Sequence, residues 1–123
     1  MSETSEIAGK TTIAPEVLLT IARLTTLKVS GVSRMAPVPP SMGRLLKKGM
    51  QQGEGVAIEI LDDTVYVDLY LILMSEVNVR EVSRTIQREV ARAISELVGM
   101  NVGGVNVHIE DIDYPEEASP AEH

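Results

Sequence analysis

The chain has no cysteine, no phenylalanine and no tryptophan, and only three tyrosines. Without cysteine there is no disulfide, no thiolate nucleophile and no cysteine-based metal site. That absence fits a reducing cytoplasm. Of the two histidines, His123 is the terminal residue, so a histidine-based metal site is not expected either, and no cofactor is implied. No apolar run approaches the roughly 18 residues of a membrane helix, and the start from Met1 to Lys10 is polar. Direct membrane insertion and a secretory leader are therefore not expected. Basic residues are in deficit: 11 Lys and Arg stand against 18 Asp and Glu, a net charge of −7, with a pI of about 4.8. A phosphate backbone would be repelled, which argues against general nucleic-acid binding. Gly49 to Gly55 lacks the strand–turn–helix context and the Gly-Lys-Ser/Thr ending of a phosphate loop. No serine sits on a nucleophile elbow, and no Gly-x-x-Gly clamp of an RNA module is found.

What is present is aliphatic. A chain of 123 residues with 44% hydrophobic and 24% charged residues has the composition of one globular domain, and its interior must be built of Val, Ile and Leu. The most legible stretch runs from Asn78 to Gly99. Asn78 stands at an N-cap position with Glu81 at the capping-box spacing, and Val77 and Val82 can form a hydrophobic staple. Val79, Val82, Ile86, Val90, Ala93, Ile94 and Leu97 then recur at three- and four-residue steps, which predicts one buried helix face. Gly99 suits a left-handed C′ residue. The other face carries Arg80, Arg84, Arg88 and Arg92, each four residues after the last. Like charges at that spacing repel by a few tenths of a kcal/mol, so helix stability alone does not select them. They read either as a solvated face balanced by Glu81, Glu89 and Glu96, or as a docking stripe for an acidic partner or an anionic surface.

A first helix is predicted from Pro15 to about Val29, since proline suits the first helical turn, with a short strand at Thr11-Thr12-Ile13 before it. Val17, Leu18, Ile21, Ala22 and Thr25 make its inner face. Leu19 and Leu27 fall outside that arc, and a helix apolar nearly all round points to a second buried side, a candidate for self-association. Val32 to Ala36 reads as a strand. Residues 37–55, with Pro37, Pro39, Pro40 and four glycines, are expected to form a flexible loop with one helical turn over Met42 to Lys48. Val56 to Ile60 and Val65 to Leu73 alternate as strands joined by an Asp62-Asp63 turn, and Val105 to Ile109 alternate as a last one. The expected fold is α+β: a two-layer sandwich, one small mixed sheet of about four to five strands with two helices on one face. Residues 1–9 and the acidic tail 115–123 are expected to be disordered around a single domain, 10–114. The open sheet face would show Glu59, Tyr66, Asp68, Tyr70, Asn106, His108 and Glu110. Asp68 and His108 could there form an acid–base pair, against the plainer reading of an exposed polar face. No enzyme is expected.

One pattern is familiar. Ile13-Ala14-Pro15-Glu16-Val17, Ile21-Ala22 and Val29-Ser30-Gly31-Val32 resemble the opening of the alkaline shock protein 23 family of bacterial envelope-stress proteins. The second half is similar too: Val65 through Leu71 with Asp68, Asn78-Val79, Ile86-Gln87, Val90, Ala93-Ile94, Gly99-Met100 and Val102 through Ile109. Met74-Ser75 departs from it, since the family commonly has a Tyr-Gly pair there. The resemblance spans about residues 10–112 and contains no catalytic motif. It implies a non-enzymatic bacterial protein that self-associates or is held beneath the cell membrane by a membrane-anchored partner, in cell-envelope homeostasis. The alternative is a regulatory protein restraining an enzyme of fatty-acid synthesis, a carboxylase.

Overall fold

The structure, a computed structural model, describes residues 8–40 and 50–115. Its elements are α1 (Pro15–Leu27), β1 (Val32–Met35), β2 (Met50–Gly53), β3 (Val56–Leu61), β4 (Thr64–Met74), α2 (Val79–Val98) and β5 (Asn101–Asp113). Alternation in β4 sends Val65, Val67, Leu69, Leu71 and Leu73 to one side, and every one of them is fully buried. That side meets both helices. Leu18 and Ala22 of α1 and Val82, Ile86, Val90 and Ile94 of α2 close the same aliphatic core. The fold is therefore the expected α+β sandwich, two helices on one face of a five-stranded sheet.

β4 organises the sheet because it is paired along both edges. One edge takes β3 antiparallel over Thr64–Leu69 and then β1 antiparallel over Leu71–Leu73. The other takes β5 in parallel along the whole strand. The parallel pair requires a crossover, and α2 supplies it. β2 lies outside β3.

Asn78 and Gly99 cap α2 where their spacing predicts, while the reciprocal Glu81 bond of a full capping box is not among the described contacts. Asn78 accepts a 3.0 Å hydrogen bond from the Glu81 N–H, and Gly99 ends α2 in the left-handed region at φ 80°. The Asp62-Asp63 turn joins β3 to β4.

Several expectations need correction. Thr11-Thr12-Ile13 is not a strand; nothing pairs with it among the described residues. The expected loop over 37–55 is interrupted by β2, which forms a hairpin with β3. Its Glu54-Gly55 turn has φ 48° and 85°, the positive pair that a two-residue hairpin favours. The helical turn expected over Met42 to Lys48 lies outside the described residues. The last strand is longer than Val105–Ile109, because parallel pairing carries it from Asn101 to Asp113 through two register shifts. α1 is rotated from the expected arc. Val17 is 43% exposed while Thr26 is buried, its hydroxyl donating to the Ala22 carbonyl at 2.8 Å. The cause is that α1 packs on the sheet and on α2 together, so its buried line is Leu18, Ala22 and Thr26. Val79 and Leu97, assigned to the inner face of α2, are 44% and 72% exposed because the first and last turns overhang the sheet.

Tyr70 is also not on an open face. It is 4% exposed, since the chain after β1 folds over the outer side of β4 and Ala36, Ile72 and Val38 enclose the ring. The Ala36 N–H donates to the Tyr70 carbonyl at 2.8 Å.

Two stability predictions follow from this packing. Ile86→Ala removes a fully buried side chain and should cost about 2–5 kcal/mol, whereas Leu97→Ala should stay within about 0.5 kcal/mol; urea unfolding of both variants measures the contrast. Gly55→Ala places a Cβ 2.7 Å from the Ala36 carbonyl oxygen at a positive φ. It should cost about 1–3 kcal/mol, seen as a lowered thermal midpoint, and an unchanged midpoint would refute the turn geometry.

Candidate interaction surfaces

The arginine row lies where the helix period puts it. Arg80, Arg84, Arg88 and Arg92 are all exposed on α2. The balancing acids are engaged only in part. Arg92 reaches Glu96 at 3.4 Å and Arg88 reaches its neighbour Glu89 at 3.6 Å, both between exposed side chains. Arg80 and Arg84 make no ion pair among the described residues. Pairs of this kind in water contribute little, about 0–1 kcal/mol, so the guanidinium groups retain nearly all their capacity for an external anion.

The two leucines singled out on α1 differ. Leu19 is half-buried against the core, with its methyl 3.5 Å from where a Cβ on Gly53 would stand. Leu27 is 38% exposed, and its exposed apolar companions are Val17 and Leu24. The free apolar surface of this helix is therefore Val17, Leu24 and Leu27.

On the outer sheet face the parallel register sets Asp68 beside Asn106 and Tyr70 beside His108. Asp68 Oδ1 accepts from Asn106 Nδ2 at 3.1 Å and lies 2.9 Å from His108 Nε2. The imidazole stacks on the Tyr70 ring, centroids 4.4 Å apart and planes 10° from parallel. Burial raises the Tyr70 phenol above its ordinary pKa, with the charges of Asp68 and Glu110 adding to it. The sequence pairing of Asp68 with His108 is thus a real contact. Its geometry is that of a braced cluster: the carboxylate is shared by two donors, and no serine or threonine hydroxyl hydrogen-bonds to either residue among the described contacts. The larger cavities lie elsewhere. One of about 610 Å³ opens beside β1, with Leu27, Met35 and Val38 in its wall and Arg23 and Arg34 at its rim.

One feature had no sequence signal. Arg34 Nε and Nη2 donate to Asp113 Oδ2 and Oδ1 at 3.0 and 3.2 Å, and Ser33 Oγ donates to the same carboxylate at 2.6 Å. This clasp ties β1 to β5 across the end of β4. The Arg34 and Ser33 hydrogen bonds hold the Asp113 carboxyl below its ordinary pKa. Partners 79 and 80 residues apart leave no local pattern to read.

These features define a class: a small α+β domain whose distinguishing groups are on its surfaces. The chain belongs to the alkaline shock protein 23 family, whose model, described by a cell envelope-related function, matches residues 3–114. Among relatives, it is 32% identical over 110 residues to the uncharacterized protein Spy1535 of Streptococcus pyogenes serotype M6, covering 89% of this chain and 83% of that protein. It is 26% identical over 115 residues to the uncharacterized protein YqhY of Bacillus subtilis, covering 89% and 82%. Among solved structures, MamM-CTD 215-293 is similar at 14% identity and a TM-score of 0.44, covering 80% of this chain and 99% of that one. Among the described residues, no helix is long and apolar enough to cross a membrane.

A lowered carboxyl pKa in the folded state stabilises the fold above the unfolded value, and that stabilisation is lost as pH falls through the folded one. The stability difference between the wild type and Asp113→Asn should therefore narrow as pH falls from about 5 to about 2. Urea midpoints at stepped pH measure it; a constant or widening difference would sink the clasp.

Proposed function

We propose that this chain is a non-enzymatic interaction module of cell-envelope homeostasis, working in the cytoplasm next to the membrane and held there by a membrane-anchored protein partner. The carrying observation is the row of four exposed arginines on α2, half of it without an ion pair among the described residues. Family membership supplies the envelope context. A cationic ridge on a protein of net charge −7 is complementary at close range to an acidic surface. Val17, Leu24 and Leu27 of α1 offer an exposed apolar contact of the kind self-association would use.

The test is an Arg84→Glu, Arg88→Glu double variant, first shown by circular dichroism and thermal melting to fold as the wild type does. Affinity purification from native cells should recover a membrane-anchored partner with the wild type, and at least about tenfold less with the variant. Equal recovery would remove the arginine row from the reading. Recovery of a carboxylase of fatty-acid synthesis in place of an envelope protein would favour the regulatory alternative.

A further inference from the structure

β5 is an edge strand thirteen residues long: it pairs with β4 on one side and with no described strand on the other. Its inward-facing aliphatic residues Val102, Val105, Val107, Ile109 and Ile112 are all only half-buried, whereas their counterparts on β4 are fully buried. Both the backbone and the side chains of this strand are therefore incompletely covered.

The direction of the free groups follows from the contacts. Asn101 N–H donates to the Asp63 carbonyl and Asp113 O accepts from the Ser75 N–H, so the two ends of β5 face the β4 side. Val105 O is met instead by the Gln87 side chain from α2, at 3.1 Å. Between the two register shifts, Gly104 to Ile109 pairs with β4 without interruption. Alternation within that run turns the N–H and C=O of Val105, Val107 and Ile109 outward.

Proteins usually protect such an edge with lysine, proline or an inward charge. Val105 to Ile109 has none of these. The acids Glu110, Asp111 and Asp113 are gathered at one end, and Gly103 and Gly104 stand at the other.

We infer that β5 is the site at which a second copy of this chain adds edge to edge, antiparallel about a two-fold axis at Val107, joining the two sheets into one. This rests on the reading that the chain works by presenting surfaces, but not on the arginine row. In that register Val105 pairs with the partner copy's Ile109 position and Val107 with its own equivalent, so β-branched side chains meet on the helix-covered face. On the outer face Asn106 meets the His108 position, and Gly104 meets the Glu110 position. No acid faces an acid. A two-fold interface demands a self-complementary strand, and β5 meets that demand in the register centred on Val107. A generic extended ligand would have no reason to require it. Gln87 caps one outward carbonyl in the single chain and swings aside on pairing.

Because the chain has no cysteine, introduced thiols report the register directly. Asn106→Cys and His108→Cys proteins, purified separately, should each cross-link poorly alone and form a disulfide dimer when mixed under mild oxidation. Full-length wild type should sediment as a dimer at about 100 µM, the concentration range of a modest strand-pairing interface. Val107→Pro, which removes an outward N–H at an edge, should shift it at least tenfold toward monomer with its far-ultraviolet spectrum kept. Gln87→Ala should not weaken the dimer, and Arg84→Glu, Arg88→Glu should sediment as the wild type does, which separates this interface from partner docking. A monomer at that concentration overturns the proposal. So does cross-linking of either thiol variant with itself in preference to the mixture, or a Val107→Pro protein that folds and remains dimeric.

Discussion

The structure depends on the double-sided pairing of β4. Its five inward aliphatic side chains are fully buried, and its backbone is hydrogen-bonded along both edges, by β3 and β1 on one and β5 on the other. At about 1.5–3 kcal/mol for each buried aliphatic side chain, one strand supplies a large part of the burial this small domain can obtain. In a chain without Phe or Trp, no single large ring can compensate for a gap. Packing must come instead from many branched side chains fitted between two layers. The other elements are referred to this strand: α2 packs over the same core through Val82, Ile86, Val90 and Ile94, and β5 is registered against it residue by residue.

That constraint leaves the polar and charged groups on the outer faces of the two layers. One face of β4 is closed by helices. The other is partly closed by the segment after β1, which shelters Tyr70 and Ile72 under Ala36 and Val38. The polar cluster of Asp68, Asn106 and His108 occupies what is left, with every side-chain polar group hydrogen-bonded or exposed; no buried polar side-chain atom is unsatisfied among the described residues. The Asp68–His108 pair is braced by a stacked tyrosine on a sheet face, which suits it to fixing the β4–β5 register.

The sequence was legible where a local rule operates. The Asn78 cap, the Gly99 stop, the alternation of β3 and β4 and the period of α2 are all short-range patterns, and the structure follows them. It was less legible where tertiary contacts decide. The rotation of α1 depends on its contact with α2, and the burial of Tyr70 depends on a proline-rich segment crossing from β1. The β2 hairpin was hidden by a polar Gln51-Gln52 pair, although Gly53, Glu54 and Gly55 are the residues of a tight turn. The ends of β5 are not legible because Gly103-Gly104 interrupts the alternation at its start and a second register shift, after Ile109, interrupts it near its end. Gly103 is required there: a Cβ on it would collide with the Tyr66 ring. Of the surfaces, the arginine row and the Asp68–His108 contact could be read in advance, while the Arg34–Asp113 clasp and the free edge of β5 needed the topology.

The charge distribution reconciles an acidic protein with a cationic helix face. Net charge governs long-range behaviour, and at −7 it favours solubility and discourages indiscriminate association. At physiological salt, however, fields between exposed charges decay over about 8 Å, and the outer faces of α2 and of the sheet lie on opposite sides of the core. Acids on the sheet side, such as Glu59, Asp68 and Glu110, are therefore largely screened from the outer face of α2. An approaching surface meets the ridge at close range as a cationic object, although from afar it meets an anion. The sign of the field therefore depends on distance and on the face approached. On α2 the apolar side chains hold the helix to β4, and the same 3.6-residue period turns the arginines toward solvent, so one repeat supplies both the anchor and the exposed charge.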